Sequence, residues 1–220
     1  MEYIFVRHGI TANLEGGRIQ GWSPAPLSAR GRKQAQAAAT RLAALASVTT
    51  IYSSPVFRTM QTAGIIGAAL GLPVNELPSL AERRFPSRFW GVERSQLGDY
   101  LAQFAAHVHD PDWAFEDEDS LRTSVERARD CVRFLKAHAS EPGVMVFVSH
   151  GTIMRLIMAT LLLPEDAPLP SWADVHAALL GPQPCAFAEV APGPARLAVR
   201  AWNDIAHLRG LLDFDRGPGA

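Results

Sequence analysis

Two apolar runs, Tyr3-Ile4-Phe5-Val6 and Val144-Met145-Val146-Phe147-Val148, end alike, the first in Arg7-His8-Gly9 and the second in Ser149-His150-Gly151. Short runs of β-branched and aromatic residues that close on a glycine read as buried strands. In an open α/β sheet, the residues that end parallel strands face the crevice where ligands bind. This pattern constrains the chain more than any other: it predicts a sheet with two histidines meeting at its carboxyl edge.

The rest of the chain alternates strand and helix. A loop carrying Gly16, Gly17, Gly21, Pro24 and Pro26 leads through Ser28 into an Ala-rich amphipathic helix from about Arg30 to Leu45. A strand follows at 50–53. Ser54 as N-cap and Pro55 at the first helical position predict a helix from there to Gly71. Pro73 and Pro78 bracket an extended piece. From 82 to 142 no β run occurs, and helices at about 95–109 and 120–139 suggest a helical insertion, about 84–142, over the carboxyl edge. A strand at 144–148, a helix at 152–163, a loop with a short helix at 164–184, and strands at 185–190 and 197–202 complete the pattern. The expectation is a single α/β domain over 1–215 with a mostly parallel sheet, followed by a disordered tail at 216–220.

Bulk charge excludes some partners. With a formal net charge of −1 and a sequence pI near 6.7, nothing favours nucleic acid or a membrane surface. Any anion must be held locally. Of the 21 basic residues only Lys33 and Lys136 are lysines, and arginine suits bidentate capture of phosphate or carboxylate. Cys131 and Cys185 show neither disulfide nor zinc spacing. The chain meets a strand at residue 3 with no charged, apolar leader, and no apolar run reaches ~18 residues, so a cytoplasmic, non-membrane protein is expected.

Arg58 falls in the first turn of its helix, where the dipole disfavours a cation by roughly 0.3–1 kcal/mol unless an anion compensates. That turn lies at the same edge as Arg7, His8 and His150, where the helix start after Gly151 offers N–H groups and close backbone approach. Two guanidiniums and two imidazoles suit phosphomonoester transfer, which must stabilise charge on three oxygens and place a nucleophile in line. A neutral imidazole would be the nucleophile and a carboxylic acid would protonate the leaving group, Glu82 being the candidate.

Phe5-Val6-Arg7-His8-Gly9-x-Thr11, Arg18-x-Gln20-Gly21-Trp22, Pro26-Leu27-Ser28 and Gly31-x-x-Gln34-Ala35 resemble the opening of the histidine phosphatase superfamily, in its phosphoglycerate-mutase-like branch. Tyr52-Ser53-Ser54-Pro55-x-x-Arg58-Thr59-x-Gln61-Thr62-Ala63, Leu80-x-Glu82, Val148-Ser149-His150-Gly151 and Asn203-Asp204-x-x-His207-Leu208 match the later motifs in order. The resemblance implies a three-layer α/β/α sandwich and no metal or organic cofactor. It implies His8 as the phosphorylated nucleophile, Arg7 and Arg58 as phosphate clamps, His150 as transition-state stabiliser, and Glu82 as acid then base. Substrate contacts are expected from Asn13, Gln20, Gly21 and Gly151. Three departures stand out: Ile10 replaces an acidic or amide residue, the family's Asn falls on Leu14 with Asn13 one place early, and Phe85-Pro86-Ser87-Arg88-Phe89-Trp90-Gly91-Val92-Glu93 replaces Phe-Gly-x-Trp-Glu-Gly.

Other polar clusters have plainer readings. Glu116-Asp117-Glu118-Asp119, just before a helix, reads as a solvated run serving the dipole rather than a metal site. His107 and His109 fall on different helix faces, and His138 and His207 read as surface or packing residues. The cluster of Arg83, Arg84, Arg88, Phe89, Trp90 and Arg94 is either a recognition element for the distal part of a substrate or a solvated lid face. The expected function is a phosphomonoesterase acting on a small phosphorylated metabolite. One alternative is a phosphoglycerate mutase, disfavoured because only 67 residues lie between Glu82 and His150. The other is a non-catalytic phospho-ligand scaffold, disfavoured by the presence of His8.

Overall fold

In the computed structural model, which describes residues 1–164, 167–169, 171–193 and 196–212, six strands form one mixed sheet. They are β1 (Glu2–Arg7), β2 (Val48–Ser53), β3 (Val74–Glu76), β4 (Val144–Ser149), β5 (Phe187–Pro192) and β6 (Leu197–Asp204). The spatial order is β3-β2-β4-β1-β5-β6, with β1 to β4 mutually parallel, β5 antiparallel to β1, and β6 antiparallel to β5 and so running with the parallel strands. Helices α1 (Ala12–Glu15), α2 (Ala29–Ala43), α3 (Phe57–Leu70), α4 (Asp99–Ala106), α5 (Leu121–Ala137), α6 (Gly151–Leu162) and α7 (Trp172–Ala178) connect them. The tail expected at 216–220 lies outside the described residues.

Strand alternation sorts the apolar residues into two layers. Ile4, Val6, Val146 and Val148 pack on Ala35, Ala38, Ala39 and Leu42 of α2 and on Ala63 and Ile66 of α3. Tyr3, Phe5, Met145 and Phe147 face α5 and α6. The sheet is therefore covered on both sides, which gives the three-layer sandwich and explains why β4 is buried at every position. Phe147 stacks on Phe5 and on Tyr52, at centroid distances of 4.9 and 5.5 Å, tying the three central strands together across one face.

The β1–β4 register sets the active edge. Arg7 pairs with Ser149, and the His8 amide donates to the Ser149 carbonyl at 2.9 Å. The residue after each strand is then a histidine on the same edge, and the two rings lie 5.2 Å apart edge to face.

Helix α3 starts later than its sequence suggests. Ser54 does not cap it: Val56 occupies the N-cap position, and the Ser54 hydroxyl instead accepts from the Val56 amide at 3.3 Å and engages His150. The turn at Ser54–Val56 postpones the helix and leaves Arg58 in its first turn. Gly71 ends the helix in the left-handed conformation, φ 68°, as expected.

The stretch read as an insertion divides in two. Its first part holds α4 and short 3-10 turns around an aromatic cluster of Phe89 and Tyr100 with Phe85, Phe104, Trp113 and Phe115. Its second part, α5, packs Leu121, Val125, Ala128, Cys131 and Leu135 into the main core. The acidic run between them is solvated only in its first half, at Glu116 and Asp117, and turns inward at Glu118 and Asp119, where its sequence reading fails. Glu118 is buried and bonded to Arg83 at 2.5 Å, while Asp117 pairs with Arg84, Glu116 with Arg88 and Asp119 with Arg127. Burying Glu118 raises its carboxyl pKa, opposed by Arg83. Two charged segments that look independent in sequence are mutual partners, and Arg83, Arg84 and Arg88 spend their charge there. Among the described residues no helix is long and apolar enough to cross a membrane.

Candidate active site

His8 follows β1, and its ring is fixed from both sides. Nδ1–H donates to the Gly9 carbonyl at 2.8 Å, and Nε2 accepts from Arg58 Nε–H at 3.1 Å. A carbonyl only accepts and a guanidinium only donates, so the imidazole is neutral with its lone pair on Nε2. His150 obeys the same logic. Its Nδ1 accepts from Arg58 Nη2 at 3.1 Å, which leaves Nε2–H to donate to Ser54 Oγ at 2.9 Å. One guanidinium thus spans both histidines, and all three side chains are at most 2% exposed.

The loop after β1 is held by side chains of the two neighbouring helices. The Gly9 amide donates to Thr62 Oγ1 at 3.1 Å and the Ile10 amide to Gln34 Oε1 at 3.0 Å. Backbone meets backbone here: a Cβ on Gly31 would lie 2.0 Å from the Ile10 carbonyl oxygen. These contacts account for Gly31, Gln34 and Thr62 within their motifs.

Burial and positive neighbours shape the electrostatics. Desolvation, then Arg58 and Arg7, push the His8 pKa well below 6.5, and desolvation, Arg58, His8, Arg7 and Arg127 do the same to His150. Burial lowers Arg7 and Arg58 to about 10, partly offset by Glu82, so both remain charged at neutral pH. Arg7 donates Nη1 to the Pro182 carbonyl at 2.5 Å and lies against Gly151, whose Cβ would sit 3.6 Å from Arg7 Cζ. Arg7 Nε and Arg58 Nη1 are buried donors with no partner among the described residues. A buried unpaired donor costs about 1–3 kcal/mol, and more when charged, a cost that an anionic oxygen would remove. The site is a buried pair of charged arginines beside a neutral imidazole.

Glu82 reaches the same edge in an unexpected way. Its Oε1 accepts from the Arg83 and Ile153 amides at 2.9 and 3.0 Å, and its Oε2 from the Thr152 amide at 3.1 Å. The α6 N-terminus, read from sequence as open to a ligand anion, is therefore occupied by Glu82 at Thr152 and Ile153. There the helix dipole favours its negative charge.

Of the expected substrate-binding residues, Gly151 lies against Arg7 and the others sit in the segment after β1. Gln20 accepts from Thr11 Oγ1 at 2.6 Å, and Gly21 adopts φ 49° with the Trp90 indole so close that a Cβ would meet Nε1 at 2.1 Å. Asn13 is half-buried on α1. Arg155 was missed by sequence reasoning. It lies on α6 one turn after Gly151, half-buried, and its charge acts on Arg7; its i+4 spacing from Gly151 was the available signal. His207 packs on Phe187 and holds the Cys185 carbonyl at 2.9 Å, while His107 stacks on Trp113 and His138 on Phe134. Among the described residues no three His, Cys, Asp or Glu side chains group as metal ligands.

The model of the histidine phosphatase superfamily (branch 1) matches residues 3–205. A metal-independent phosphoserine phosphatase of Arabidopsis thaliana is 28% identical over 221 residues, covering 98% of this chain and 87% of that protein. A probable phosphoglycerate mutase of Escherichia coli is 27% identical, covering 94% and 95%. Among solved structures, mycobacterial glucosyl-3-phosphoglycerate phosphatase in complex with VO3 is similar, with a TM-score of 0.76 and 28% identity over 92% of this chain and 99% of that one. The ordered motifs, the three-layer sandwich and these matches agree: the chain belongs to the histidine phosphatase superfamily, branch 1.

Proposed function

We propose that this chain is a phosphomonoesterase that hydrolyses a small phosphorylated metabolite through a phosphohistidine on His8. The observation that carries the reading is the fixed tautomer of His8, whose Nε2 lone pair lies beside the Arg58 guanidinium that also spans His150. Phosphoryl oxygens take up the Arg58 and Arg7 donors, and Nε2 attacks phosphorus as the ester P–O bond breaks. The Nδ1–H bond to Gly9 carries the positive charge the ring gains. Glu82 gives its proton to the leaving oxygen; Oε2, which accepts one amide where Oε1 accepts two, is the oxygen with room for it. In the second half-reaction the Glu82 carboxylate takes a proton from water, the oxygen attacks phosphorus, and His8 Nε2 leaves. The arginines supply the positive charge, so the cycle needs no metal or organic cofactor. Two buried, unpaired thiols suit a reducing cytoplasmic setting.

The mutase reading is favoured by the E. coli relative, and differs only in whether the phosphoryl group passes to water or to a second hydroxyl. A panel of phosphorylated sugars, acids and nucleotides should show release of inorganic phosphate, absent in His8→Ala. Rapid exchange of phosphoglycerate isomers with negligible phosphate release would establish the mutase instead.

A further inference from the structure

Glu82 stands in a segment with no regular secondary structure, between the 3-10 turns at Pro78–Leu80 and Ser87–Phe89. No strand or helix ladder fixes its backbone. Bonds from distant residues hold much of it instead, and Arg127 of α5 takes two of its carbonyls, those of Ala81 and Glu82. Arg127 Nη1 donates to the Glu82 carbonyl at 3.1 Å and the Ala81 carbonyl at 3.5 Å, and Nη2 binds Asp119 at 2.7 Å. Asp119 grips the next turn of chain, accepting from the Arg84 amide at 2.8 Å and donating its own amide to the Arg84 carbonyl at 2.9 Å. Trp22 Nε1 also donates to the Glu82 carbonyl, at 2.9 Å. Beside them Arg83 is locked by Glu118 and lies over the Trp172 ring at 4.4 Å.

The geometry points to Arg127, anchored by Asp119, as the positioning residue for Glu82. It touches neither of the histidines nor the carboxylate of Glu82. Its role is to set where the Glu82 backbone stands, and so how far the carboxylate reaches from the α6 N-terminus toward a leaving oxygen. The acidic run is then part of the catalytic support. This inference rests on the reading of Glu82 as the acid.

Its signature is dependence on the leaving group. An alkyl phosphate needs a well-placed proton and an aryl phosphate hardly does. Misplacement by about 1 Å can cost about 100-fold. Arg127→Met should therefore lower kcat/KM for an alkyl phosphate by about 10- to 100-fold, while 4-nitrophenyl phosphate stays within about threefold. Arg127→Lys should recover part of the loss. Asp119→Ala keeps the Arg127 charge near His150 and should give the same alkyl-selective loss, which separates positioning from a change of field. In the pair Glu82→Gln/Arg127→Met, the second substitution should add little to the first on the alkyl ester, because both remove one function. If Glu82→Gln discriminates between the esters while Arg127→Met and Asp119→Ala slow both equally, or if the two losses multiply, the positioning role is wrong and Glu82 remains the acid. If Glu82→Gln itself slows both esters equally, the acid assignment falls and the positioning role with it.

Discussion

Lowering the pH should destabilise the fold through the two histidines that form the site. Both are fully buried and neutral, with pKa values well below 6.5, while in the unfolded chain each titrates near 6.5. Below pH 6.5 the unfolded state therefore binds protons that the folded state does not, and stability falls as the pH falls. The contribution is complete above pH 6.5 and is lost progressively toward the folded-state values. Each histidine costs about 1.4 kcal/mol per pH unit once the unfolded form is fully protonated, which integrates to about 1.4 kcal/mol each, or about 3 kcal/mol for the pair, between neutral pH and pH 5.5. Urea unfolding from pH 8 to 5.5 measures this. The comparison is with His8→Gln and His150→Gln, since the remaining titrating groups are common to all three proteins and cancel in the differences. Each variant should lose half of the pH-dependent difference. Parallel stability curves for the wild type and both variants would show that the histidines are not held neutral, and the fixed tautomer of His8 would fall with them.

Three further outcomes are expected. Arg58→Lys keeps a charge and loses the fork that bonds both rings at 3.1 Å; at about 1.5–3 kcal/mol for each charge-assisted bond, kcat/KM should fall roughly 10²- to 10⁴-fold, and a loss below tenfold would refute the bridging role. Gly31→Ala drives a Cβ to 2.0 Å from the Ile10 carbonyl and should cost about 1–3 kcal/mol in urea unfolding together with most of the turnover; an unchanged midpoint would contradict the backbone contact. Aryl phosphate turnover should survive chelator treatment, because two guanidiniums carry the positive charge; loss restored by Mg²⁺ or Zn²⁺ would refute the mechanism.

The site was legible where it depends on strand ends and chain order. The runs at 3–7 and 144–149 fix β1 and β4, and their register brings His8 and His150 together, so the constellation with Arg7 and Arg58 followed from local pattern. What was illegible depends on partners distant in sequence. Ser54 and Pro55 carry good helix-start chemistry, yet the Ser54 hydroxyl is drawn to His150, 96 residues away, and the helix waits until Phe57. Glu118 looked solvated because its partner Arg83 lies 35 residues earlier and meets it only when both segments fold over the aromatic cluster. The amides of Thr152 and Ile153 looked free because Glu82 reaches them from 70 and 71 residues away. Periodicity predicts which face is buried; it does not say which charges will meet.

The central claim is that the phosphoryl group rests on His8 Nε2 during turnover. Quenching the enzyme while it turns over a radiolabelled phosphomonoester, then mapping the peptides, tests this most directly. The account predicts a label that is stable to alkali, lost in acid, confined to the peptide containing His8 and absent from His8→Ala. A turning-over enzyme whose label is acid-stable, or sits on another residue, or never forms in rapid-quench time points, would contradict it.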